Sequence, residues 1–154
     1  MWCGFQIDIV GDRPIVRVPI SLSTSPPTTA GIVYVVADID FQLPHCVFRS
    51  ELATQLGIPD WRSSAQTAQV LLRESGQRQV YLHPLSFFFR YGDLDLEGPD
   101  CLMGFTDSMP PYVEGILGRN GCFGRYSVRY DLINRVVSVD IAEPPAKPLV
   151  YGAP

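Results

Sequence analysis

A chain of 154 residues, 46% hydrophobic and 18% charged, is long enough for one domain with its own core, and its composition argues against disorder. Its net charge of −4 gives neither nucleic acid nor an anionic membrane surface an electrostatic reason to bind. No stretch approaches the roughly 20 apolar residues that a membrane helix needs. The opening Met1-Trp2-Cys3-Gly4-Phe5 lacks a basic region followed by an apolar run, so no signal peptide is expected. The four cysteines, Cys3, Cys46, Cys101 and Cys122, are dispersed and form no Cys-x-x-Cys pair. That pattern argues against a zinc site or redox motif and for reduced thiols in a cytoplasmic protein, with no metal or cofactor expected.

In chain order, residues 5–20 place Phe5, Ile7, Ile9, Ile15, Val16, Val18 and Ile20 around Gly11-Asp12-Arg13-Pro14, which is the patterning of a hairpin. Residues 21–29 are rich in Ser, Thr and Pro and read as a loop. Residues 31–37 form a β-branched and aromatic run that reads as a buried strand leading to Asp40. Ser50 is placed to cap a short helix that Gly57 can end in the left-handed conformation. Residues 69–83 read as a hairpin with Glu74-Ser75-Gly76-Gln77 at its tip, Gly76 permitting the tight turn. Residues 85–89 read as another strand, and 93–100 carry turn chemistry. Residues 127–131 and 136–140 pattern as a closing hairpin, and 142–154 form a proline-rich, extended tail. Many short strands and two short helices imply an all-β barrel.

Two segments resemble one family. The first is Val36-Ala37-Asp38-Ile39-Asp40-Phe41-Gln42-Leu43-Pro44, followed by Ser50-Glu51-Leu52-Ala53-Thr54-Gln55-Leu56-Gly57-Ile58. The second is Glu114-Gly115-Ile116-Leu117-Gly118-Arg119-Asn120. In order and spacing they are similar to the active-site loop with its Leu-Gly-Ile helix, and to the later Gly-Arg-Asn segment, of retropepsin-like aspartic peptidases of the bacterial single-domain type. The resemblance spans residues 5–141 and implies a retropepsin-like domain over 1–141, with 142–154 as a separate tail. It makes 69–83 the flap that covers a bound peptide. It also places a short helix after Gly118-Arg119.

The resemblance implies that Asp40 is the catalytic aspartate, one from each subunit of a homodimer. Two such carboxylates share a proton, and the ionised one activates water. The family's Thr falls on Phe41 and its Gly on Gln42. Phe41 has no hydroxyl to bridge the two loops, and Gln42 adds a side chain where backbones must approach closely. Catalytic geometry tolerates little displacement, so peptide hydrolysis is expected to be reduced or lost. Phe41, Gln42, Ser75, Gly76, Gln77 and Gly118 are the expected substrate-contacting residues. The family interleaves chain ends in its dimer, where this proline-rich tail departs from an ordinary strand.

Other residues carry two readings each. Asp38 and Asp40, at i and i+2 on a strand, share a face, which suits a replacement acid pair or an oxygen-rich cation site; the alternative turns Asp38 to solvent or an amide. His45 beside Cys46 is a thiol–imidazole pair or two diverging neighbours. His83 is a proton donor, or a packed or surface histidine. Phe87, Phe88, Phe89 and Tyr91 line a groove, or form buried core with one exposed edge. Three functions stay open: a homodimeric aspartic peptidase acting on extended peptides, a non-catalytic dimer that holds a peptide or protein in the flap-covered groove, and a structural dimer.

Overall fold

The computed structural model describes residues 1–10, 13–25, 31–40, 42–73, 75–98, 100–119 and 126–141, with backbone alone for Val10, Arg13, Leu94, Asp95 and Glu97. Phe41, Cys122, the segment expected to form a helix after Gly118-Arg119 and the 142–154 tail lie outside these residues. Among the described residues eleven strands form one sheet. They are β1 (Trp2–Val10), β2 (Arg13–Thr24), β3 (Val33–Ile39), β4 (Val47–Arg49), β5 (Thr67–Leu72), β6 (Gly76–Tyr91), β7 (Leu94–Glu97), β8 (Cys101–Thr106), β9 (Gly115–Leu117), β10 (Val128–Asp131) and β11 (Val136–Asp140). Their order is β10-β11-β1-β2-β3-β9-β4-β8-β6-β5, with β7 on β6, and an extra β2–β6 pairing closes the path from β2 to β6 into a ring.

Period-2 burial explains the long strands. In β2, Val16, Val18, Ile20 and Leu22 are buried while Arg17 and Pro19 are exposed. The strand does not stop at Ser21 as the Ser/Thr-rich pattern suggested. Its end pairs with β6 from Ile20↔Phe89 to Thr24↔Leu85, and Ser21, Ser23 and Thr24 are buried there. The small hydroxyl side chains fit between packed layers, and tertiary pairing overrides their local turn preference. Likewise the hairpin's return strand and 85–89 form one 16-residue strand, β6, that runs through Pro84. Its buried positions change phase there, from Val80 and Leu82 to Leu85, Phe87 and Phe89. The first set packs in a small cluster with Leu43, Val47, Val70 and Leu72; the second joins the main core. The turn expected at 93–100 contains β7, paired with β6 from Phe88↔Glu97 to Tyr91↔Leu94.

Phe87 and Phe89 are fully buried, 5.1 Å apart in an edge-to-face contact, while Phe88 and Tyr91 are half-buried, so the aromatic cluster is core with a partly exposed edge. Each fully buried ring contributes about 1.5–3 kcal/mol by leaving water. The helix α1 (Ser50–Gln55) starts one residue earlier than a Ser50 cap would have it. Arg49 is the N-cap, without a side-chain cap bond, and Ser50 is the first helical residue. The helix ends as expected: Gly57 has φ +82°, and Ile58 N donates to Ala53 O at 2.8 Å. A single 3-10 turn follows at Trp61–Ser63. No helix among the described residues is long and apolar enough to cross a membrane.

Candidate functional site

The site is built at the end of β3. Parallel pairing with β9 sets Asp38 opposite Ile116 and Ile39 opposite Leu117, and Asp40 N continues the ladder by donating to Leu117 O at 3.0 Å. The chain then turns sharply. Gln42 N donates to Asp40 Oδ1 at 2.9 Å and Leu43 N to Asp40 O at 3.2 Å, an aspartate-initiated turn that orients the carboxylate. Beneath the turn Leu43 is buried, and Leu43 O accepts Arg119 N at 2.8 Å. Gly118 lies directly against this loop: a Cβ on it would meet Leu43 O at 2.6 Å and would collide with His45 O. Gly118 N donates to the buried Cys46 Sγ at 3.3 Å. Two segments far apart in sequence are thus locked back to back, with Asp40 on the outer side.

Asp40 lines a cavity of about 330 Å³. Leu43, Pro110, Val113 and Ile116 line it. The β5–β6 hairpin adds Leu71, Leu72 and Arg73, the β1–β2 region adds Ile7, Pro14, Ile15 and Val16, and the β10–β11 hairpin adds Tyr130 and Leu132. Arg73 Nε lies 3.9 Å from Asp40 Oδ2. Partial burial raises the Tyr130 phenol above its ordinary titration range, and the negative charge of Asp40 raises it further. Arg49, under α1, donates to Pro110 O and Val113 O, each at 2.9 Å, and so anchors the loop that carries the cavity wall.

Of the expected site residues, Asp40 and Gln42 line the cavity. Phe41 lies outside the described residues. Ser75 Oγ donates to Ser108 O at 2.6 Å, Gly76 (φ +77°) pairs opposite Leu72, and the exposed Gln77 pairs opposite Leu71; none of the three is on the cavity wall. Gly118 is buried behind the loop, where its lack of a side chain serves the loop's position rather than contact with a ligand. Asp38 lines the cavity too, but Arg17, its cross-strand partner, comes within 3.3 Å of its carboxylate. Cys46 is fully buried under the Gly118 amide, a packing position. His83 Nε2 lies 2.7 Å from Trp61 O; a carbonyl only accepts, so that nitrogen carries the proton and the ring is packed in place.

Arg73 and Tyr130 were missed. Arg73 was within reach of sequence reading, because the Leu72↔Gly76 pairing puts it in the turn just past the last buried residue of β5. Tyr130 had no local signal, since its place depends on where a distant hairpin docks.

No protein-family model matches the sequence, and no curated protein matches it. The structure is similar to the crystal structure of a retropepsin-like aspartic protease from Rickettsia conorii, with a TM-score of 0.54 over 90% of this chain and 91% of that one, at 13% sequence identity. The fold is retropepsin-like. In that fold, Asp40 directly follows β3 and lines the cavity together with Arg73 of the β5–β6 hairpin, their charged groups 3.9 Å apart.

Proposed function

We propose that this chain is a homodimeric retropepsin-like aspartic peptidase homologue of the cytoplasm that holds extended peptides in a flap-covered groove, with hydrolysis reduced or lost. The carrying observation is the position of Asp40: an aspartate-initiated turn at the end of β3, open to a largely apolar cavity beneath a hairpin. In the hydrolytic form, Asp40 carboxylates from two subunits share one proton. The ionised one takes a proton from water as the water attacks the peptide carbonyl, and the protonated one donates to the carbonyl oxygen. Gln42 faces the peptide beside Asp40. Ser75, Gly76 and Gln77 reach the peptide backbone only once the flap turn leaves Ser108 O.

A non-catalytic reading has its own support. One Asp40 oxygen already accepts the Gln42 amide and the other faces Arg73, so the carboxylate is engaged before any water reaches it. The groove would then bind a peptide by main-chain pairing and apolar contact, without cleavage. Digestion of a diverse peptide library from roughly pH 3.5 to 7, with Asp40→Asn in parallel, separates the two. Cleavage that the variant abolishes identifies an aspartic peptidase. Peptide capture without cleavage identifies a binding module, and neither cleavage nor capture by a verified dimer overturns the proposal.

A further inference from the structure

We propose that Arg73 is a specificity residue of this groove: it receives a carboxylate of the bound peptide, so the site favours peptides that carry an acidic group close to a large apolar side chain. The inference rests on the peptide-holding reading above and adds the substrate class. Three observations carry it. The cavity wall is largely apolar, with Leu43, Leu72, Val113 and Ile116 converging from three segments on a space of about 330 Å³, enough for a bulky apolar side chain. Among the described residues, the cavity's Asp38 meets Arg17 from the neighbouring strand at 3.3 Å, and its Asp40 faces Arg73 at 3.9 Å. The second pair is loose: 3.9 Å exceeds hydrogen-bond length, and the Arg73 side chain is 58% exposed against 23% for Asp40.

A loose, half-exposed pair exchanges partners readily. When Asp40 turns to a second carboxyl, to water or to a peptide group, the half-exposed guanidinium beside the cavity loses its nearest counter-charge. A carboxylate on the ligand replaces that charge and, unlike Asp40 at 3.9 Å, can meet the planar fork of donors two bonds at a time. Arg73 stands on the hairpin turn directly after β5. The carboxylate can come from an Asp or Glu side chain or from a peptide C-terminus.

The test uses the full chain and its Arg73→Glu and Arg73→Gln variants on one peptide library, prepared with both free and amidated C-termini. Capture is read by fluorescence and cleavage by mass spectrometry. Wild type should prefer peptides with an acidic group near a large apolar residue by about two- to fivefold. Arg73→Gln should lose that preference, and Arg73→Glu should turn it towards Lys and Arg. If amidation removes the preference, the carboxylate is the C-terminus; if not, it is a side chain. Peptides captured or cleaved by wild type without acidic enrichment overturn the inference alone, as does an enrichment unchanged in both variants. A wild-type chain that neither captures nor cleaves any peptide overturns this inference together with the reading beneath it.

Discussion

Asp40 acts on its surroundings through charge as well as hydrogen bonds, and Tyr130 reports that charge. The phenol is raised above its ordinary value of 10.0 first by burial and then by the Asp40 carboxylate. The sign follows from linkage: the folded chain holds the neutral phenol more firmly than the unfolded one does. Its contribution to stability is therefore complete below pH 10 and is lost as the pH rises through the higher folded-state value. Replacing Asp40 with Asn removes the second cause and leaves the first. The Tyr130 ring, followed by carbon NMR through an alkaline titration, should therefore titrate lower in Asp40→Asn than in wild type, yet still above the ordinary value. Identical curves for the two proteins would place the phenol outside the field of the carboxylate. The result matters beyond Tyr130, because it locates the closing hairpin at the groove without reference to any ligand.

At the scale of elements, the joint between β9 and the Asp40 loop is the part that cannot give. The Cβ of a Gly118→Ala variant would press on the Leu43 and His45 carbonyls, which are backbone and have no rotamer to escape into. A loss of about 1–3 kcal/mol is expected, measured by chemical denaturation against wild type; a change of a few tenths would mean that the loop shifts freely and that its position is not enforced from behind. This joint was legible in the sequence because both halves carry local signals: an apolar strand ending on an aspartate, a Leu-Gly-Ile helix end and an Ile-Leu-Gly-Arg run. Other elements were not legible, for equally physical reasons. Ser21, Ser23 and Thr24 look like loop by polarity, but the backbone of β2 is satisfied by β6 and the hydroxyl side chains are small enough to be buried. Pro84 looks like a strand boundary. It instead sits where β6 passes from one apolar cluster to another, and its carbonyl still accepts Ser25 N at 3.2 Å. Asp40 could be found from a motif and Arg73 from its place beside the turn of the 69–83 hairpin, whereas Tyr130 lines the cavity only through the way a distant hairpin folds onto it.

At the scale of the molecule, the chain ends bear on how two copies would meet. The first half of β1 pairs with β11 of the same chain, from Trp2↔Asp140 to Gln6↔Val136. The Met1 ammonium donates to Asp140 Oδ1 and to Ile141 O, each at 2.9 Å. These strands are engaged within one protomer, and the proposed dimer would bring together the faces that carry the Asp40 loops. A dyad made across such a face has a statistical signature. Wild type and Asp40→Asn are mixed in equal amounts and left to exchange subunits, with sedimentation confirming dimers. Peptide cleavage should then fall to about one quarter of that of the same total of wild type, since only wild-type pairs hold two carboxyls. A site complete within each chain, with Asp40 served by its own Arg73 and Tyr130, would instead retain about one half. The quarter supports the paired-carboxylate mechanism; the half would move the chemistry into the single protomer and make the hairpin residues around Asp40 its remaining machinery.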